Sequence, residues 1–143
     1  MSKKIYFEYL ELLQQINDDL EWPKELDPSS MLMLEIIVVM HEQAKTLTVG
    51  QAMKMSSLAS PSWIHRKLLE LYELGLIDYI FLEKNRRTKY LQPTHKTERY
   101  FTLLGEALRK SQENILLRNT SFLEELRKSK KEQEVAFLPL TLK

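Results

Sequence analysis

From Lys3 to about Leu20 the apolar residues fall at Ile5, Leu10, Leu12, Leu13, Ile16 and Leu20. This imperfect stripe predicts an amphipathic helix, which Trp22-Pro23 breaks. Asp27-Pro28 opens a second helix, with Asp as N-cap and Pro at the first helical position. That helix runs to about Gln43 and is apolar on nearly all sides, the pattern of a central buried helix. Thr46-Leu47-Thr48 reads as a short strand. Thr48 with Gln51 forms a capping box, predicting a short helix through about Met55 with Val49, Ala52 and Met53 on its apolar face. Ser56 to Ala59 is a turn. Ser60-Pro61 is another cap pair, opening a helix that ends at Gly75.

The period then changes. Leu76 to Leu82 reads as a strand, Glu83 to Thr88 as a polar loop, and Lys89 to Gln92 as a returning strand stopped by Pro93. From Thr94 or Thr97 the chain is helical again. Phe101, Leu104, Leu108, Ile115, Phe122 and Leu126 keep near-heptad spacing, and Asn119-Thr120-Ser121 is a candidate break, since Ser121 and Glu124 form a second capping box. The end, Val135 to Leu142, is apolar without a helical pattern.

Short strand, short helix, turn, second helix, strand, basic loop, strand is the order of a winged helix-turn-helix. The expected class is mainly α (α+β), with a small antiparallel β-hairpin as the wing. In the second helix Ile64, Leu68 and Leu71 share one face, while Ser62, Arg66 and Glu73 lie opposite. Its first two turns offer Ser60, Ser62, Trp63, His65 and Arg66, and its acids lie in the second half. A recognition helix enters the major groove N-terminus first, where its dipole and free amides favour phosphate. Arg66 is the candidate for guanine, because its fork matches two acceptors. Ser60 and Ser62 are candidates for phosphate or base edges, Trp63 for sugar or a thymine methyl, and Thr48 and His65 complete the set. The plain alternatives are a solvated face for Arg66 and Lys67, packing for Trp63 and an ordinary surface residue for His65. Lys84, Arg86, Arg87 and Lys89 surround the hairpin tip, with Asn85 supplying turn chemistry. A cationic hairpin suits the negative potential of a minor groove. The alternative is a solvated hairpin whose charges protect its edges.

Net charge is only +1, but it is unevenly spread. Residues 1–42 carry three Lys against nine acids, residues 43–99 ten Lys or Arg against five acids, and the remainder eight against six. The cations thus concentrate where the motif lies, as a polyanion-facing region requires. With no Cys there are no disulfides, thiol chemistry or Cys-based zinc sites. His41, His65 and His95 have no common metal spacing, and three Gly cannot build a phosphate loop. The expectation is a non-enzyme without a cofactor. The chain opens without a signal-peptide pattern, and its longest apolar stretch, residues 31–40, is too short for a bilayer. A cytoplasmic protein with no membrane partner is expected.

Leu47-Thr48-Val49, Ser60-Pro61-Ser62, Leu68-Leu69-Glu70-Leu71 and Leu74-Gly75-Leu76-Ile77 together resemble the helix-turn-helix register of the MarR (multiple-antibiotic-resistance regulator) family. Asn85 to Thr94 resembles that family's wing signature. Asn85 stands where the family has Asp, Pro93 where it has Leu, and Thr97 where a helix Gly is common. The resemblance covers Leu47 to about Thr94. It implies that Asn85 steadies the wing turn and that Arg86 or Arg87 reaches the minor groove. It also implies a homodimer formed through the first and last helices, which agrees with the apolar surface at both ends of the chain. The division is then 1–26 as N-terminal dimerisation helix, 27–96 as winged helix-turn-helix domain and 97–143 as C-terminal dimerisation helices and tail. A small-molecule effector between dimer helices and DNA-binding lobe is implied by resemblance alone. Tyr6, Trp22, Met33, Met40 and Tyr100 are candidates to line such a crevice, with core packing as their ordinary role.

The sequence therefore predicts a sequence-specific double-stranded DNA-binding transcriptional regulator, a repressor by preference, on a near-palindromic operator. Helix 60–74 would lie in the major groove and wing 83–89 at the minor groove. The alternatives are a winged-helix protein adaptor and a phage or plasmid replication or architectural factor.

Overall fold

The computed structural model describes residues 2–55, 60–82 and 85–136. The order is α1 (Ser2–Leu20), α2 (Trp22–Glu25), α3 (Pro28–Glu42), α4 (Val49–Met53), α5 (Pro61–Glu73), β1 (Ile77–Leu82), β2 (Asn85–Pro93) and α6 (His95–Ala136). It is a mainly helical winged helix with one two-stranded antiparallel hairpin. The chain divides into two compact units, Gln15–Leu104 and Met1–Gln14 with Gly105–Lys143.

In the first unit each helix begins where its cap chemistry sets it. Asp27 accepts the Ser30 N–H at 2.7 Å at the start of α3. Thr48 accepts the Gln51 N–H at 3.0 Å while the Gln51 side chain accepts the Thr48 N–H at 2.9 Å, a complete capping box. Ser60 accepts the Trp63 N–H at 3.3 Å to start α5. Two helices end in Schellman motifs, each with a left-handed residue past the last turn. After α5 it is Gly75 (φ 74°), with Gly75 N–H donating to Tyr72 O and Leu76 N–H to Leu71 O. After α3 it is Ala44 (φ 59°), with Ala44 N–H donating to His41 O and Lys45 N–H to Met40 O.

The core gathers Met33, Leu34 and Ile37 of α3, Leu47, Ala52, Ile64, Leu68 and Leu71, then Leu76, Ile77 and Leu91 at the base of the hairpin. Trp22 and Tyr100 join it edge to face, with ring centroids 4.9 Å apart. Trp22-Pro23 does more than break α1. Glu21 turns into the left-handed region (φ 66°), and Pro23 then sits in the first turn of the short α2, which carries Trp22 into the core. The predicted strand at 46–48 is a single antiparallel bridge, Thr48 to Tyr90, supported by Leu91 N–H donating to Leu47 O at 2.8 Å.

The hairpin differs from expectation. β2 begins at Asn85, so Arg86, Arg87 and Thr88 belong to a strand where the sequence predicts a loop. Pairing runs regularly from Ile77–Pro93 to Ile80–Tyr90 and resumes at Leu82–Asn85. Between those pairs β1 has Phe81 alone and β2 has Arg86, Arg87, Thr88 and Lys89. The cations thus occupy a wide bulge, which bends a strand and re-aims its side chains. Pro93 is the last strand residue and pairs with Ile77.

In the second unit Glu8 of α1 accepts from Arg118 at 2.7 Å and Asn114 at 3.3 Å. Those bonds hold the Glu8 carboxyl below its ordinary range, that of Arg118 most strongly. Ala107, Ser111 and Ile115, one residue per turn of α6, are buried. The break foreseen at residues 119–121 does not occur, and α6 is continuous. Thr120 donates its hydroxyl to Leu116 O at 2.8 Å, satisfying the side chain within the helix instead of competing with it. The expected turn at 56–59 and the apolar tail beyond residue 136 lie outside the described residues.

Candidate nucleic-acid interface

α5 is divided lengthwise. Ile64, Leu68 and Leu71 are fully buried, while Ser60, Pro61, Ser62, His65 and Arg66 are exposed. This follows from helical spacing, since residues three and four apart share a face. Among the described residues the side chains of Ser62, His65 and Arg66 have no hydrogen bond or ion pair. The first two turns therefore present donors to solvent. Ser60 spends one lone pair on its cap and keeps its O–H as a donor. Thr48 is half-buried, with its oxygen committed to the capping box, and is placed beside the hairpin by its bridge to Tyr90.

Lys67 and Trp63 take a different part. Lys67 Nζ lies 2.7 Å from Asp27 and 3.2 Å from Glu70, and 5.4 Å from the centre of the Trp63 ring. Its charge is spent within the protein, and it covers one face of a half-buried Trp63. Hydrogen bonding to Lys67, then to the Ser30 backbone, lowers the Asp27 pKa from 3.8 to about 2. The bond to Asp27 raises that of Lys67 in turn.

The hairpin is tied to α5 through rings. Tyr72 and Tyr79 have centroids 5.0 Å apart, and Lys89 Nζ lies 5.4 Å from the Tyr79 centroid. Burial, then the neighbouring Tyr72, pushes the Tyr79 hydroxyl up. Arg86, Arg87 and Lys89 are exposed. Lys84 and the Asn85 side chain lie outside the described residues.

Sequence reasoning missed what fixes the far end of α5. Lys96 donates to Leu74 O at 2.9 Å, Thr94 Oγ1 to Gly75 O at 2.6 Å, and Thr97 Oγ1 to Leu76 O at 2.6 Å. Three consecutive carbonyls that leave the helix are thus held by Thr94, just before α6, and by the first turn of α6. The available signal was two threonines and a lysine opening a helix soon after a Gly-ended one. Of the crevice candidates, Trp22, Met33 and Tyr100 are core residues, Tyr6 is exposed, and Met40 lines a cavity behind the hairpin. Among the described residues no three His, Asp or Glu side chains cluster as metal ligands, and no helix is long and apolar enough to cross a membrane.

No protein-family model and no curated protein matches the chain. Solved structures do. The transcriptional regulator Tm0710 from Thermotoga maritima aligns at 17% identity over 94% of this chain and 93% of its own, with a TM-score of 0.53. RV1404 from Mycobacterium tuberculosis aligns at 16% identity over 82% and 72%, also with a TM-score of 0.53. A mutant MarR from E. coli aligns at 19% identity over 90% and 94%, with a TM-score of 0.45. The likeness is one of fold, shared with Tm0710 and RV1404.

Proposed function

We propose that this chain is a sequence-specific double-stranded DNA-binding transcriptional regulator, a repressor that binds a near-palindromic operator as a homodimer. The observation that carries the reading is the division of α5. One face is sealed into the core, and the N-terminal half of the other presents the capping Ser60 together with Ser62, His65 and Arg66, whose side chains have no partner among the described residues. α5 enters the major groove with that end leading, and Arg66 reads guanine through two acceptors. The bulged strand carries Arg86 and Arg87 to the neighbouring minor groove, where narrow width concentrates negative potential. Thr48, Lys84 and Lys89 hold the backbone on either side.

Support for the homodimer comes from apolar side chains that the protomer leaves uncovered. Tyr6 and Phe7 on α1 and Leu116, Leu117, Phe122 and Leu123 on α6 are each at least half exposed. Surfaces of that kind on a regulator of this fold are met by a second copy. Two recognition helices then span half-sites about 10 bp apart.

Selection from a random duplex library, followed by gel shifts on the recovered sequence, tests this reading. The expected result is an inverted repeat whose complex is lost in the combined Arg66→Ala, Arg86→Ala and Arg87→Ala variant. Failure to retain duplex DNA at low salt, or wild-type affinity in that folded variant, overturns it.

A further inference from the structure

The hairpin has a second face. Tyr79 and Leu91, which pair across the strands, lie toward α5 and the core. Side chains alternate along a strand, so the next pair, Ile80 with Tyr90, points the other way. There, with Met40 and Leu47, it walls an open cavity of about 610 Å³. That volume is within the usual range for small-molecule sites, roughly 300–1,000 Å³.

The polar groups around it are mostly committed. His41 Nδ1 and Thr46 Oγ1 share a hydrogen bond of 3.0 Å, and Gln51 is held in its capping box. Gln92 and Tyr90 also line the cavity, and Lys45 is the one Lys or Arg among the described lining residues. The left-handed turn at Ala44 brings it to the rim, its backbone N–H is bonded to Met40 O, and its ammonium has no partner among the described residues. No Asp or Glu among the described residues lines the cavity. Apolar walls with one unanswered cation define the complementary ligand.

We infer that this cavity binds a small, mainly apolar molecule ending in one anionic group, with its apolar body between Met40, Leu47, Ile80 and Tyr90 and its anion on Lys45. The walls belong to the α3–α4 connection and the hairpin, so an occupant would brace the hairpin against α3. The site does not depend on the chain binding DNA.

Methyl-resolved NMR titration of the full chain with octanoate, octan-1-ol and octan-1-amine tests it. Octanoate is expected to shift the Met40 and Ile80 methyl signals saturably and to bind more tightly than the alcohol or the amine. Lys45→Gln should weaken octanoate about tenfold, the value of one hydrogen bond to a charged group, and leave octan-1-ol unchanged. Lys45→Glu should reverse the order of octanoate and octan-1-amine. Lys45 is exposed, so both variants are expected to fold, and the methyl spectrum without ligand reports that directly. Absence of saturable shifts with octanoate, or an order of affinities that Lys45→Glu leaves unaltered, overturns the inference.

Discussion

Lys67 Nζ stands 2.7 Å from Asp27 Oδ2, joining residues forty positions apart and fixing the start of α3 to the middle of α5. The same carboxylate accepts the Ser30 N–H on its other oxygen, so one side chain caps a helix and ties it to the next. The two roles separate by mutation. Asp27→Asn keeps a good N-cap and loses the ion pair, for a cost of about 0.5 kcal/mol at this half-exposed site. Asp27→Ala loses both, about 1.5 kcal/mol in all. Urea unfolding of the three proteins distinguishes the steps, and equal losses in both variants would contradict the shared role.

The pair also has a pH signature. The folded pKa of Asp27 is lowered from 3.8 to about 2. Its stabilisation is therefore present above pH 3.8 and is lost as pH falls through about 2. Lys67 is raised above 10.5, so its share is complete below that value and disappears only as pH climbs past it. Between pH 4 and 2 the wild type should lose more stability than Asp27→Asn, and the two melting curves should converge. Parallel curves through that window would show that the carboxylate is not held by Lys67.

Neighbouring cations on α5 should behave differently toward DNA. Arg66 has no partner among the described residues, whereas Lys67 has two carboxylates and an aromatic face. Arg66→Ala is expected to cost roughly 1–3 kcal/mol on the preferred sequence and to relax selection at one base pair. Lys67→Met should leave the slope of log K against log salt unchanged, because no phosphate counterion is released on its account. Slopes measured by fluorescence anisotropy decide. A slope shallower by about one for Lys67→Met would place that ammonium on a phosphate instead.

Caps and periodicity made most of the fold legible. Asp27-Pro28, Thr48 with Gln51 and Ser60-Pro61 are local signals whose bonds close within three residues, so no tertiary knowledge was needed. The α5 faces were legible for the same reason, since Ile64, Leu68 and Leu71 repeat at helical spacing. What failed depended on partners that residue type alone does not name, most of them distant in sequence. The polarity of Arg86 to Thr88 suggests a loop, but the pairing of Asn85 with Leu82 carries the strand past them, and polarity does not encode a partner. Asn119-Thr120-Ser121 suggests a cap, yet the Thr120 hydroxyl is answered inside α6. Lys67 reads as a solvated cation because nothing local shows Asp27 beside it. The bonds from Thr94, Lys96 and Thr97 to the end of α5 cross about twenty residues and leave no periodic trace.

That last set makes a graded prediction. Leu76 O accepts from the Thr97 hydroxyl at 2.6 Å and also from the Thr94 N–H at 3.1 Å. Thr97→Val conserves shape and leaves the carbonyl one donor, so it should cost about 1 kcal/mol, below the penalty for an orphaned buried acceptor. Leu68→Ala, which empties a fully buried site on α5, should cost about 2–5 kcal/mol. Chemical denaturation ranks them, and a loss for Thr97→Val as large as that for Leu68→Ala would mean that Thr94 does not share the carbonyl.

The two Schellman turns allow a reciprocal test of backbone strain. Gly75 and Ala44 hold the same left-handed position after α5 and α3, at φ 74° and 59°. Among the described residues, its chain neighbours aside, none has an atom within 4 Å of where a Cβ on Gly75 would stand, so the cost of Gly75→Ala is that of its dihedral angle. A left-handed L-residue costs about 1–2 kcal/mol, offset by about 0.4–1 kcal/mol of entropy that alanine removes from the unfolded chain. Gly75→Ala should therefore destabilise by about 0.5–1 kcal/mol, and Ala44→Gly should stabilise by a similar amount through the reverse exchange. Calorimetric melting of both variants checks the signs. If Ala44→Gly also destabilised the protein, the alanine methyl would be contributing contacts that outweigh its strained backbone.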